Sequence, residues 1–107
     1  MKFKNTTKKG RVRYIVFKEE NQWHAVALEF NIVETGDDPN EALFLLFEAI
    51  QGYVESAQKI KAGPVILNQK PDPEYQKMWD TLIDKKMRES FQSLKHIYTW
   101  GEKPLAV

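Results

Sequence analysis

The chain has 107 residues, of which 42% are hydrophobic and 29% charged, and its net charge is +1. A chain of this length holds one hydrophobic core, so two independent domains are not expected. It contains no cysteine, which removes disulfides, thiolate zinc sites and cysteine nucleophiles.

Charge is segregated along the chain. Lys2, Lys4, Lys8, Lys9, Arg11 and Arg13 stand without an acid in the first thirteen residues, whereas residues 18–58 hold nine acids against one base. No apolar run is long enough to cross a bilayer, so a soluble, cytoplasmic chain without a membrane partner is the expectation.

Residues 1–10 are polar, basic and without period, and read as a flexible lead-in with no core role, with an edge strand near Phe3 at most. From Arg11 to Lys18, Val12, Tyr14 and Val16 alternate with Arg13, Ile15 and Phe17, the signature of a strand covered on at least part of both faces. Glu19 to Gln22 make a polar turn. A second strand over Trp23 to Phe30 sets His24, Val26, Leu28 and Phe30 on one face and Trp23, Ala25 and Ala27 on the other. The small alanine face predicts something bulky above it. Asn31 tolerates a left-handed turn, and Ile32 to Thr35 reads as a third strand ending at Gly36.

Gly36-Asp37-Asp38-Pro39-Asn40-Glu41 carries what a helix start requires. Asp38 caps, Pro39 occupies the first position, where no N–H bond is lost, and Glu41 completes a capping box. The helix, expected to run to about Lys61, aligns Leu43, Leu46, Phe47, Ile50, Tyr53, Val54 and Ala57 at spacings of three and four. Phe44 falls with Glu48, Gln51 and Glu55 on the opposite, polar face. Gly52 sits mid-helix, where it costs about 1 kcal/mol relative to Ala. Phe44, Glu48, Gly52 and Glu55 are therefore candidates for a second, partner-binding surface.

Val65-Ile66-Leu67, after Gly63-Pro64, reads as a short fourth strand. Asp72-Pro73 repeats the cap-plus-proline arrangement and opens a long C-terminal helix over 72–95. Its stripe of Tyr75, Met78, Trp79, Leu82, Ile83, Met87, Phe91 and Leu94 must find an apolar surface, on this chain or on another subunit. Trp79 is read as core. Residues 96–107 read as a tail, with a final strand from His96 to Trp100 and with Trp100 as the best exposed anchor. The fold class is thus α+β: a three-stranded antiparallel meander, an amphipathic helix, a short fourth strand and a long C-terminal helix in one domain, with residues 11–68 as its core.

Tyr14 to Phe17, Trp23 to Glu29, Gly36-Asp37-Asp38-Pro39-Asn40-Glu41-Ala42 and Glu48-Ala49-Ile50 together resemble the HicB-like antitoxin family, over about half the chain. That resemblance implies a partial RNase-H-like fold without the nuclease carboxylates, a homodimer or higher oligomer, and binding to a small basic RNA-cleaving toxin of the HicA type. It also admits an orphan member with no toxin. Two departures are visible. Glu29-Phe30-Asn31-Ile32 replaces the family's Pro-Gly-Cys-like turn, and the C-terminal part shows neither a helix-turn-helix nor a ribbon-helix-helix.

Chemistry has little to work with. His24 and His96 lack spaced partners of the kind metal sites use. Glu29, Glu34, Asp37, Asp38 and Glu41 would have to converge to hold a divalent cation for nuclease chemistry, yet two of them serve the helix start. Ser56, Ser90 and Ser93 have no glycine elbow or base. No catalytic residue, cofactor or metal is expected. A small nucleic-acid-binding regulator using Lys8, Lys9 and Arg11 beside Tyr14 and Phe17 stays as the alternative.

Overall fold

The computed structural model describes residues 4–105, with Leu94 in its backbone only; the strand expected near Phe3 and the side chain of Leu94 in the apolar stripe lie outside them. The chain forms β1 (Arg11–Glu19), β2 (Gln22–Ala27), β3 (Ile32–Gly36), α1 (Pro39–Lys59), a 3-10 turn (Pro64–Leu67), α2 (Pro73–Ile83), α3 (Arg88–Leu94) and β4 (Ile97–Pro104). The four strands make one antiparallel sheet in the order β3-β2-β1-β4.

Local chemistry explains the meander. Glu20 and Asn21 both have positive φ, 54° and 63°. This is the two-residue turn whose twist matches that of the strands it joins. Asn31, at φ 52°, turns the chain from β2 into β3 as expected.

Period-two alternation then gives the sheet two apolar faces. Val12, Val16, Ala25 and Ala27 lie under α1 with Leu46, Ile50, Val54 and Ala57. The alanines let the bulky helix side chains sit close. Ile15, Phe17, Val26 and Leu28 point the other way, against Met78, Trp79 and Leu82 of α2 and Phe91 of α3. The sheet is thus sandwiched between helices. Leu28 and Phe30 fall in opposite clusters, not on one face, because β2 ends at Ala27 and residues 28–31 turn.

Four expectations are corrected. Val65 to Leu67 is not a fourth strand: Pro64 starts a 3-10 turn that the Asn68 N–H closes on the Val65 carbonyl at 3.1 Å. The long helix over 72–95 is two helices, broken at Asp84, whose backbone is extended. There the Asp84 carboxylate takes the Lys86 N–H (2.9 Å), and Arg88 Nε caps the Leu82 carbonyl (2.7 Å), so side chains replace the helical ladder. The final strand expected from His96 to Trp100 forms, but it runs on through the expected tail to Pro104 as β4, paired along β1 from Arg11 to Phe17 with a bulge at Val16/Phe17. Nor is the lead-in without a core role. Asn5 is fully buried. Its side chain accepts from Arg11 N (2.8 Å) and donates to the Leu67 carbonyl (3.0 Å).

Candidate functional site

The helix start forms as its residues dictate. The Asp38 carboxylate accepts the Glu41 N–H at 2.9 Å, and a Glu41 oxygen accepts the Asp37 N–H at 3.4 Å. Gly36 is required here, since a Cβ would come within 2.9 Å of the Ala42 nitrogen. The cap fixes where α1 begins, and so which residues face outward.

Seven-residue spacing brings Glu41, Glu48 and Glu55 onto one outward row, since two turns of helix nearly repeat. All three are exposed. From Pro39 to Gln58 there is no basic residue. Phe44 stands in this acidic row at 62% exposure. Gly52 is also exposed, with nothing within 4 Å of the position a Cβ would take. Four of the five expected partner-binding residues, Phe44, Glu48, Gly52 and Glu55, therefore share one face.

Beside this face runs the open flank of the sheet, because α1 packs over β1, β2 and β3 and leaves β4 at the margin. The Tyr98 hydroxyl donates to Asn40 Oδ1 at 3.1 Å and its ring meets Trp23 edge-on at 6.0 Å. Lys103 Nζ lies 4.6 Å from the Phe47 ring centroid. Farther along, a cleft of about 260 Å³ opens between Gln51, Val54, Glu55 and Gln58 of α1 and residues Lys103 to Leu105.

Trp100 does not join them. It is half-buried on the other side of the sheet, under the Arg88 guanidinium at 5.7 Å. The expected oligomer stripe is also largely consumed within the chain: Met78, Trp79 and Leu82 are buried, while Ile83 is 54% exposed. Trp79 is core, as expected. Tyr75 tilts against Phe17 at 6.2 Å. Burial, then the carboxylates of Glu74, Asp72 and Glu19, push its hydroxyl above the ordinary 10.0.

One group eluded sequence reasoning. Arg13 Nε donates to Glu29 Oε2 at 2.6 Å and the Arg13 N–H donates to Glu29 Oε1 at 2.9 Å. The same guanidinium donates to Gln76 Oε1 at 2.9 Å and lies 5.5 Å from the Trp79 centroid. This pair fastens α2 to the sheet. The lone signal for it is a base on a strand otherwise covered by apolar residues and an acid just past the end of the next strand.

The acids considered for a cation are dispersed. Glu29 is engaged by Arg13, and Asp38 and Glu41 by the helix start. Among the described residues, no three carboxylate or imidazole side chains gather in a group able to hold a metal ion. His24 stacks on Phe17 at 5.4 Å, and His96 is exposed at a left-handed turn. Ser56, Ser90 and Ser93 are exposed. Tyr14 packs edge-on against Phe47 and Phe17 is buried, so neither ring is offered beside Lys8, Lys9 and Arg11 as a stacking platform.

Fold and face define a small α+β domain that presents a rigid acidic helix bearing one exposed aromatic ring. A scan against protein-family models finds no match, and searches of curated proteins and of solved structures find none either. Among the described residues, no helix is long and apolar enough to cross a membrane.

Proposed function

We propose that this chain is a HicB-like protein-binding module, an antitoxin or antitoxin-like protein that takes a small basic RNA-cleaving partner of the HicA type on the outward face of α1. The observation that carries this reading is Phe44, exposed among Glu41, Glu48 and Glu55 on a helix with no base before its last turn. An aromatic ring on a rigid helix loses little entropy when buried, and surrounding charge of one sign steers a partner of the other. The order of elements, a three-stranded meander leading through a capped Gly-Asp-Asp-Pro turn into a helix, is the order that family uses. The role is binding rather than catalysis, and the toxin would be inhibited by occlusion.

The test begins with the neighbouring gene: a short basic reading frame there is expressed with this chain and the affinity measured by calorimetry. Phe44→Asp is expected to weaken the complex by at least about tenfold while leaving the circular dichroism unchanged. Glu48→Lys with Glu55→Lys is expected to slow association and flatten its salt dependence. Absence of any complex, or a complex indifferent to Phe44→Asp, refutes the proposal. A steep salt dependence of RNA or DNA binding, abolished by reversing Lys8, Lys9 and Arg11, would put the nucleic-acid alternative in its place.

A further inference from the structure

β4 is one of the two edge strands of the sheet, and among the described strands its backbone pairs with β1 alone. Which of its backbone groups are already used follows from the register. Leu105 N–H donates to the Gly10 carbonyl at 2.9 Å, and Leu105 is the next pair after Arg11↔Pro104. Hydrogen-bonded pairs recur every second residue in an antiparallel ladder. Thr99, Gly101 and Lys103 therefore spend their N–H and C=O groups on β1. Trp100 and Glu102 direct theirs outward, where no described residue pairs with them. Pro104, also an outward position, has no N–H to leave unpaired, so the edge is blunted at that end only.

We propose that this edge is the interface between two copies of the chain, joined β4 to β4 about a two-fold axis at Gly101 to form one continuous eight-stranded sheet. In this register Trp100 of each copy lies directly opposite Glu102 of the other, and the two residues exchange both of their free backbone hydrogen bonds. The side chains are complementary. Trp100 and Glu102 project to the α2–α3 side of the sheet, where Arg88 already lies over the Trp100 ring. Glu102, which within its own chain lies 3.8 Å from the exposed Arg11 guanidinium, arrives from the second copy beside the Arg88 guanidinium as well, so the acid is placed between two bases, and the contact occurs twice. Gly101 faces Gly101 at the axis, so no side chain obstructs the closest pair. The neighbouring registers lack this match: one opposes Glu102 to Glu102, which is repulsive, and the other opposes Trp100 to Trp100 and takes the acid away from Arg88. The interface is independent of which partner α1 takes, since the acidic row lies on the helix and not on the strand edge.

Sedimentation over a concentration series, with amide exchange on the same samples, tests it. The expected mass rises to twice the 12.5 kDa of the chain. The amides of Trp100 and Glu102 are expected to slow as concentration rises, while those of Thr99, Gly101 and Lys103 are slow throughout. Glu102→Arg is expected to raise the dissociation constant at least about tenfold, and Glu102→Gln, which keeps the shape and removes the charge, by a smaller factor. A monomer at every concentration overturns the proposal. So does a dimer protected at Val33 and Thr35 of the β3 edge instead, or one unaffected by both variants.

Discussion

Asp38, Pro39 and Glu41 form the helix start because each needs only neighbours within four residues, and that is why they were legible. Asn31 is the same kind of residue. Asn5 is the opposite kind: its partners Leu67 and Asn68 lie 62 and 63 residues away, and a lone asparagine in a basic lead-in carries no local sign of burial. The lock is reciprocal, since Asn5 N–H donates to Asn68 Oδ1 and Asn68 Nδ2 donates back to the Asn5 carbonyl, both at 2.8 Å. Gly10, at φ 140°, makes room, because a Cβ there would fall 2.3 Å from Asn5 Oδ1. Asn5→Ala leaves the Arg11 N–H and the Leu67 carbonyl unpaired and is expected to cost about 1–3 kcal/mol, measured by urea unfolding. Arg13 and Glu29 were missed for the same reason, their pairing being a matter of where β2 turns rather than of either residue alone.

At the scale of elements, periodicity located β1, β2, β3 and α1, and α1 ends at Lys59, two residues before the expected Lys61. The C-terminal helix misled because its stripe of spaced apolar residues continues in phase while the backbone does not. Asp84 offers its own carboxylate to the N–H of Lys86, and both short helices then lay apolar side chains on the same sheet face. Val65 to Leu67 has strand composition, but Pro64 sets the first turn, and the Asn5 side-chain amide donates to the Leu67 carbonyl, the group a neighbouring strand would otherwise take. Gly52 is a defect of α1 with no packing reason inside the chain. Gly52→Ala is therefore expected to stabilise the fold by about 0.5–1 kcal/mol in denaturant titration. If the bound partner approaches the helix backbone there, the same substitution weakens the complex while raising stability, which separates a binding glycine from a tolerated one.

For the molecule as a whole, the consequence of two covered sheet faces is that the expected core, residues 11–68, contains only one of the two helical layers that cover the sheet. Ending the chain at Asn68 uncovers Ile15, Phe17, Val26 and Leu28, all buried, and strips β4 from β1. Such a fragment is expected to lose its cooperative unfolding transition in urea and its dispersed amide spectrum, whereas the full chain keeps both. The candidate face survives this view unchanged, because α1 alone carries it. The apolar stripe expected to join subunits is largely spent on the chain's own sheet, and unpaired backbone lies instead at β4, the edge proposed to join two copies.

Sequence determined what depends on near neighbours: the meander, the capped start of α1, the apolar side of that helix and hence its acidic outward row. Cap chemistry and periodicity act within a turn or two, and no distant contact is needed to express them. Tertiary structure alone decided the rest, namely that the final strand pairs with the first, that α2 and α3 cover the second sheet face, and that Trp100 lies under Arg88 rather than in solvent. Those outcomes rest on contacts between segments far apart in the chain, where two apolar surfaces bury each other with no residue in either one specifying its counterpart.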